Sequence, residues 1–431
     1  MKNNEIIDFA LSELKKAGAD KAQCFFEQST GNELSYELEN INSLRTTFEN
    51  KLSLSVIKDN RKGDVEITNI DEKSIIESVR KVIEIAGSGE PDEAYNYSDI
   101  PIDEEFVRGG DTPDLDKMYE SLSRFLEHVN KSYPKVSIFK AFLGFNISEK
   151  QYANSYGVTA KSKKGYYDFF TMFAAKDGDK ISSFNHTGFT SWKLDKPLEK
   201  YGLIDDLIRQ SQEQIHAKMY DGKFEGDIIV SPERVMVFVY FLIQNFLSNY
   251  ALISGKSRYK NELNKKIFSE NFNLKLMPCH AELVEGSLIT EDGFKAEDQT
   301  LFENGILKSF YLDYYGSKKC GLSRTANQSM CYVMDEGNET LEQMIKSVKK
   351  GILLNRFSGG MPNDAGDFSG VAKNSYLIEN GEIKYPLSET MITANLLEMF
   401  DNITAFSKRR VNSGLSLLPW VKFSGISVSG K

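Results

Sequence analysis

The chain has 431 residues, of which 40% are apolar, 12% aromatic and 27% charged. That balance gives a folded chain with a sizeable core, enough for two or three domains at about 150 residues each, and it excludes disorder and a disulfide scaffold. Lys and Arg number 53 against 62 Asp and Glu, a formal charge of −9, so direct nucleic-acid binding, which rests on neutralising phosphates, is not expected.

The N-terminal stretch MKNNEIIDFALSELKKAG lacks the apolar run of a signal peptide. Ile6, Ile7, Ala10, Leu11 and Leu14 instead fall at helical spacing, predicting an amphipathic helix that ends near Gly18. Ala22 to Gln28 and Leu34 to Glu39 are strand-like and flank Thr30-Gly31-Asn32, which predicts a hairpin there. Ile41 to Thr47 and Lys51 to Lys58 continue the strand pattern up to a turn at 59–63. Asp71 is placed to cap a helix whose apolar face is Ile75, Ile76, Val79, Val82 and Ile83. Residues 92–115 are acidic and loop-like. A helix from Leu115 to Val129 follows, then strands over Ser137 to Asn146 and Gly165 to Ala175, then a helix from Leu203 to Lys218.

After Gly222 the character changes. A strand over Gly226 to Val230 runs into Ser231-Pro232-Glu233, a strong helix start with Ser as cap and Pro at the first helical position. The predicted helix, residues 233–250, lies in the uncharged stretch Val235 to Ile253. Gln244, Asn245, Ser248 and Asn249 inside that stretch, and the lack of a second such segment, favour a buried helix over a membrane span. The rest is mostly strand, with one helix near Thr340 to Lys350. The expected organisation is an N-terminal domain over 1–90, a middle region over 91–221 completing the N-terminal half, and a strand-rich C-terminal domain over 222–431. The fold class is α+β.

Motifs of known chemistry are sparse. None of His128, His186, His216 and His280 has a second His within a helical turn, so HExxH-type zinc helices are absent. Cys24, Cys279, Cys320 and Cys331 show no CxxC spacing, and read as reduced thiols of a cytoplasmic protein. Cys279-His280 is a weak metal pair, because adjacent side chains diverge. Ser254-Gly255-Lys256-Ser257 resembles the end of a P-loop, but Tyr250 stands where the first glycine belongs. No G-x-S-x-G elbow occurs, and carboxylate neighbours such as Glu297-Asp298, or Asp364 with Asp367, single out no general acid or base.

Longer segments carry more. AGADKAQCFFEQSTGNELSYELENINSL with VIKDNRKGDVEITNID, FKAEDQTLFENGILKSFYLDYYGSKKCGLSRTAN, GDFSGVAKNSYLIENGEIKYPLSETMITANLLEMFDNI and SGLSLLPWVKFSGISVSG occur in this order along nearly the whole chain. Together they resemble the TldD/PmbA protease family, also called putative modulators of DNA gyrase. TldD-type members carry a HExxxH helix and a late cysteine that bind zinc, and PmbA (TldE) members lack that motif. Counting back from Gly255 places the three helix positions on Tyr240, Phe241 and Asn245, and the late cysteine on Ser413. No His, Asp, Glu or Cys lies between Val235 and Ile253, so no register of this helix supplies a zinc site.

The resemblance implies a PmbA-like subunit without metal or catalytic residues of its own. It implies pairing with a zinc-bearing TldD-type partner, or with a second copy, in proteolysis of peptides or small, poorly folded proteins. Strand addition would suit an extended peptide, with Phe368, Ser369, Gly370 and Val371 as cleft-wall candidates. The other reading is a non-enzymatic regulator acting through protein partners. Neither reading calls for a membrane or for direct contact with nucleic acid.

Overall fold

The computed structural model describes residues 3–430 apart from Leu38, Asp103 and Ala326. Two mostly antiparallel sheets dominate it. The N-terminal half contains α1 (Asn3–Lys16), β1 (Lys21–Glu37), β2 (Asn40–Lys58), β3 (Arg61–Ile67), α2 (Glu72–Ser88), β4 (Glu105–Gly109), α3 (Leu115–Ser132), β5 (Val136–Asn154) and β6 (Thr159–Asp177). Its strand order is β3-β2-β1-β5-β6-β4, and the strand Asn185–Ser191 pairs with a different stretch of the β6 edge. Because β1 pairs with β5 along most of its length, residues 21–67 and 136–191 share one sheet.

The period of two along these strands separates the faces. Cys24, Phe26, Leu52, Leu54 and Val56 lie under α1 and α2, against Ala10, Leu14, Val79 and Val82. Leu143, Phe145, Phe169, Phe173 and Phe189 lie under α3 and the helix Ile204–Glu213. Asp71 caps α2 by accepting from Ser74 N at 2.8 Å. The turn between β2 and β3 has positive φ at both Asp59 and Asn60, the geometry of tight hairpins. The opposite sheet face, with Gln23, Phe25, Glu27, Lys150, Lys164 and Asp168, carries no helix among the described residues.

The hairpin expected at Thr30-Gly31-Asn32 is not formed: β1 runs straight through it, and the two strand pieces on either side are one strand. Likewise 41–47 and 51–58 are one strand. The expected helix from Leu203 stops at Glu213 and gives way to a 3-10 turn.

The second sheet begins with the short strand Lys218–Met219 and the strand Lys223–Val230. Its centre is the long strand Leu417–Ser429, which pairs with Lys223–Val230, Ile403–Asn412 and Thr390–Asn395. Lys223–Val230 pairs on its other side, in parallel, with Lys350–Leu354. Packed on this sheet is the helix Pro232–Leu242. It is not the single helix over 233–250 that the sequence suggests. A π-turn over Ile243–Leu247 follows it, Ser248 is extended at φ −79° and ψ 166°, and a short helix restarts over Asn249–Ile253. Ser231 stands at the N-cap position, yet its hydroxyl donates to Asn355 O at 3.2 Å rather than capping the helix. Among the described residues no helix is long and apolar enough to cross a membrane.

Candidate functional site

The helix-free face of the N-terminal sheet looks onto the C-terminal domain. Arg108 donates to Cys279 O at 2.9 Å and His280 O at 3.3 Å, Lys164 to Val284 O at 3.3 Å and also to Gly286 O, and Gln23 to Glu291 O at 2.8 Å. Beside the Gln23–Glu291 contact lies a cavity of about 590 Å³ lined also by Phe25, Glu27, Lys51, Lys150 and Gln328 among others. Elsewhere on this sheet face, outside the lining of that cavity, burial moves two charged groups. Lys164 is lowered to about 8, chiefly by burial with Lys150 adding to it. Asp168 is raised to about 6, again chiefly by burial, against the hydrogen bond that Asn146 Nδ2 donates to Oδ1 at 2.5 Å. Gly144 leaves the space that the Asp168 carboxylate occupies.

The 232–247 helix segment approaches this region through Tyr240, which together with Glu291 acts on Tyr311. Val235, Phe238, Val239, Leu242, Ile243 and Phe246 are buried in the C-terminal core. The intervening positions, including Arg234, Tyr240, Phe241 and Asn245, form a half-buried stripe at helical spacing. Tyr240 and Asn245, two of the positions that the resemblance points to, are five apart, a poor match to 3.6 residues per turn. The π-turn that begins at Ile243 inserts an extra residue and narrows the angle between them; such bulges recur at functional sites. Tyr240 neighbours the buried hydroxyls of Tyr311 and Tyr332, whose pKa values are pushed far up by burial, with Glu291, Tyr240 and Cys331 among the further contributors.

The side chains at these positions are already engaged or lack donors. Asn245 Nδ2 donates to Pro362 O at 3.2 Å. Phe241 offers no donor atom. Ser413 sits in a tight turn, where its Oγ accepts from Leu415 N and Ser416 N, each at 3.3 Å, while its carbonyl accepts from Thr190 N at 3.0 Å. A phenol, a committed amide and a committed hydroxyl are poor zinc ligands, so the residues present do not fit this metal. Among the described residues no three His, Cys, Asp or Glu side chains gather closely enough to hold a metal ion. Cys279 Sγ donates to Ala296 O at 3.5 Å and His280 Nδ1 accepts from Glu282 N at 3.2 Å, so the pair's contacts diverge.

Phe368, Ser369, Gly370 and Val371 lie on the strand Asp367–Lys373, which is paired on both sides, with Arg356–Gly359 and with Thr390–Asn395. Phe368 is buried against Phe238 and Phe357. This strand therefore has no edge to offer an added strand. The edge belongs to its neighbour Arg356–Gly359, which pairs only with it among the described strands.

Residues 223–430 match the PmbA/TldA metallopeptidase C-terminal domain. Over 98% of its length the chain is 23% identical to a metalloprotease PmbA homolog of Haemophilus influenzae, covering 96% of that protein. Along nearly its whole length the chain is thus similar to proteins of the PmbA/TldD family. Its fold is that of a putative modulator of DNA gyrase from Bacteroides thetaiotaomicron (TM-score 0.88, 22% identity, 100% and 99% of the two chains). It is also that of TldE from Thermococcus kodakarensis (TM-score 0.84, 19% identity, 99% of each chain). Lys164, Asp168, Arg234 and Arg356 escape a motif reading of the sequence. Only Arg234 carries a local signal, since it precedes Phe241 and Asn245 at intervals that keep all three on one helix face.

Proposed function

We propose that this chain is the PmbA/TldE-type subunit of a two-chain metallopeptidase. A zinc-bearing TldD-type partner supplies the cleaving centre, and this chain walls the cleft and holds an extended peptide. The observation that carries the reading is the half-buried helix stripe: in a chain similar to PmbA/TldD proteins, it presents Tyr240, Phe241 and Asn245 where a metal site needs imidazole and carboxylate. Peptide capture falls to the free backbone edge of Arg356–Gly359, by strand addition. Substrates are unstructured peptides or poorly folded small proteins, handled in the cytoplasm.

Metal analysis of the purified chain after exhaustive dialysis, with a peptide-cleavage assay on the same sample, tests this. The expected result is well under one zinc per chain and no cleavage. One firmly held zinc per chain with cleavage would overturn it.

A further inference from the structure

A guanidinium taken out of water is costly unless hydrogen bonds and an opposite charge replace the water. Arg234 breaks that rule. It is largely enclosed, and burial lowers its pKa. Its Nε is shut off from solvent without a partner, and its side chain makes no hydrogen bond or ion pair with any described residue. Glu233 acts on it only at longer range. The Glu233 carboxyl is itself enclosed, accepts from Thr187 Oγ1 at 3.1 Å, and is raised by burial despite Arg234 and Arg356.

Arg234 is not alone. Arg356 lies near enough that each guanidinium feels Glu233, and Arg356 is lowered by burial and by Arg234. Arg356 is held in place by donating to Phe184 O at 2.7 Å, Asn185 Oδ1 at 3.2 Å and His186 Nδ1 at 3.0 Å. The last bond requires neutral His186, consistent with its lowered pKa from burial, Arg356 and Arg234. Asn185 is 1% exposed, and its Nδ2 also lacks a partner. Two guanidiniums and a buried amide thus converge with a single enclosed carboxyl among them. Arg234 lies on the half-buried helix stripe that also carries Phe241 and Asn245, and Arg356 opens the free strand edge.

We infer that Arg234 and Arg356 form a carboxylate-binding subsite at one end of the peptide cleft, with Asn185 and His186 as its supporting shell. Resting on the peptide-holding reading above, it adds a specificity: a peptide added along the Arg356–Gly359 edge is anchored by a carboxylate in a charge-assisted, two-pronged contact with Arg234. That carboxylate is either the peptide's own C-terminus or an Asp or Glu side chain.

Three fluorescein-labelled unstructured decapeptides of one sequence separate the cases: a free C-terminal acid, the C-terminal amide, and the amide with one internal Glu. Their affinities for the wild-type chain, alone and mixed with a HExxxH-bearing partner, are measured by fluorescence anisotropy, alongside Arg234→Met and Arg234→Lys. Circular dichroism and urea midpoints verify that the variants fold; Arg234→Lys keeps the charge and serves if Arg234→Met does not fold. The inference expects the acid, or the Glu peptide, to bind the wild type at least about tenfold tighter than the plain amide. It expects that preference to vanish in Arg234→Met and to weaken in Arg234→Lys. Equal binding of all three peptides to the wild type overturns the inference and leaves peptide holding intact, as does an undiminished preference in the variants. Binding of none of them, with or without the partner, overturns both.

Discussion

Asp168 ties the electrostatics of the helix-free sheet face to a measurable stability. Burial raises its pKa to about 6, whereas in an unfolded chain an aspartate titrates near about 3.9. The native state therefore holds this proton more tightly than the unfolded state does. Stability from this group is full below about pH 4, falls as pH rises through about 6, and is lost above that. Asp168→Asn removes the titration while keeping an oxygen for Asn146. The variant should be more stable than the wild type at pH 8, on the order of 1–2 kcal/mol after allowing for partial exposure, and equal to it at pH 4. Urea unfolding at the two pH values measures this, and a difference that does not change with pH would contradict it. Such a residue is not legible in sequence. Asp168 is one acid among 62, and only the pairing of β5 with β6 brings it beside Gly144 and Asn146.

At the scale of single elements, the sequence reads helix and strand types well and continuity poorly. Gly31 suggests a turn, but it sits inside β1 because the side chains of Thr47 and Asn146 from the flanking strands close over it; a Cβ would lie 2.9 Å from one and 3.0 Å from the other. The reverse happens at Ser248. Nothing from 235 to 253 is Pro or Gly, so the pattern reads as one helix. The break comes from tertiary contacts, as Asn249 Oδ1 accepts from Asp313 N at 3.2 Å and packs on Gly316. Ser248 Oγ then caps the restarted helix, accepting from Ala251 N at 3.4 Å, and donates to Gln244 O at 2.7 Å. Ser248→Ala should cost about 1 kcal/mol, the usual value for a lost N-cap. A lowered urea midpoint at unchanged slope would register it; an unchanged midpoint would mean that the Asn249 contacts alone hold the break.

Across the whole molecule, the α+β class and the change of character near residue 222 follow from strand periodicity and helix caps, whereas the strand order does not. β1 meets β5 only after two helices and a long connection have intervened, a pairing that local signals cannot encode. The same non-local assembly lays the helix-free sheet face over the C-terminal domain and makes the cleft. In the proposed complex this chain supplies a wall and an anchor to a cleft whose chemistry belongs to its partner, and a stable pair should bury more than about 1,200 Å² in total. The most direct test mixes this chain with a HExxxH-bearing PmbA/TldD partner and follows particle size together with cleavage of an unstructured peptide. A mixed species that cleaves where neither chain alone does so is the predicted result. A partner that cleaves the peptide equally well without this chain would contradict the account.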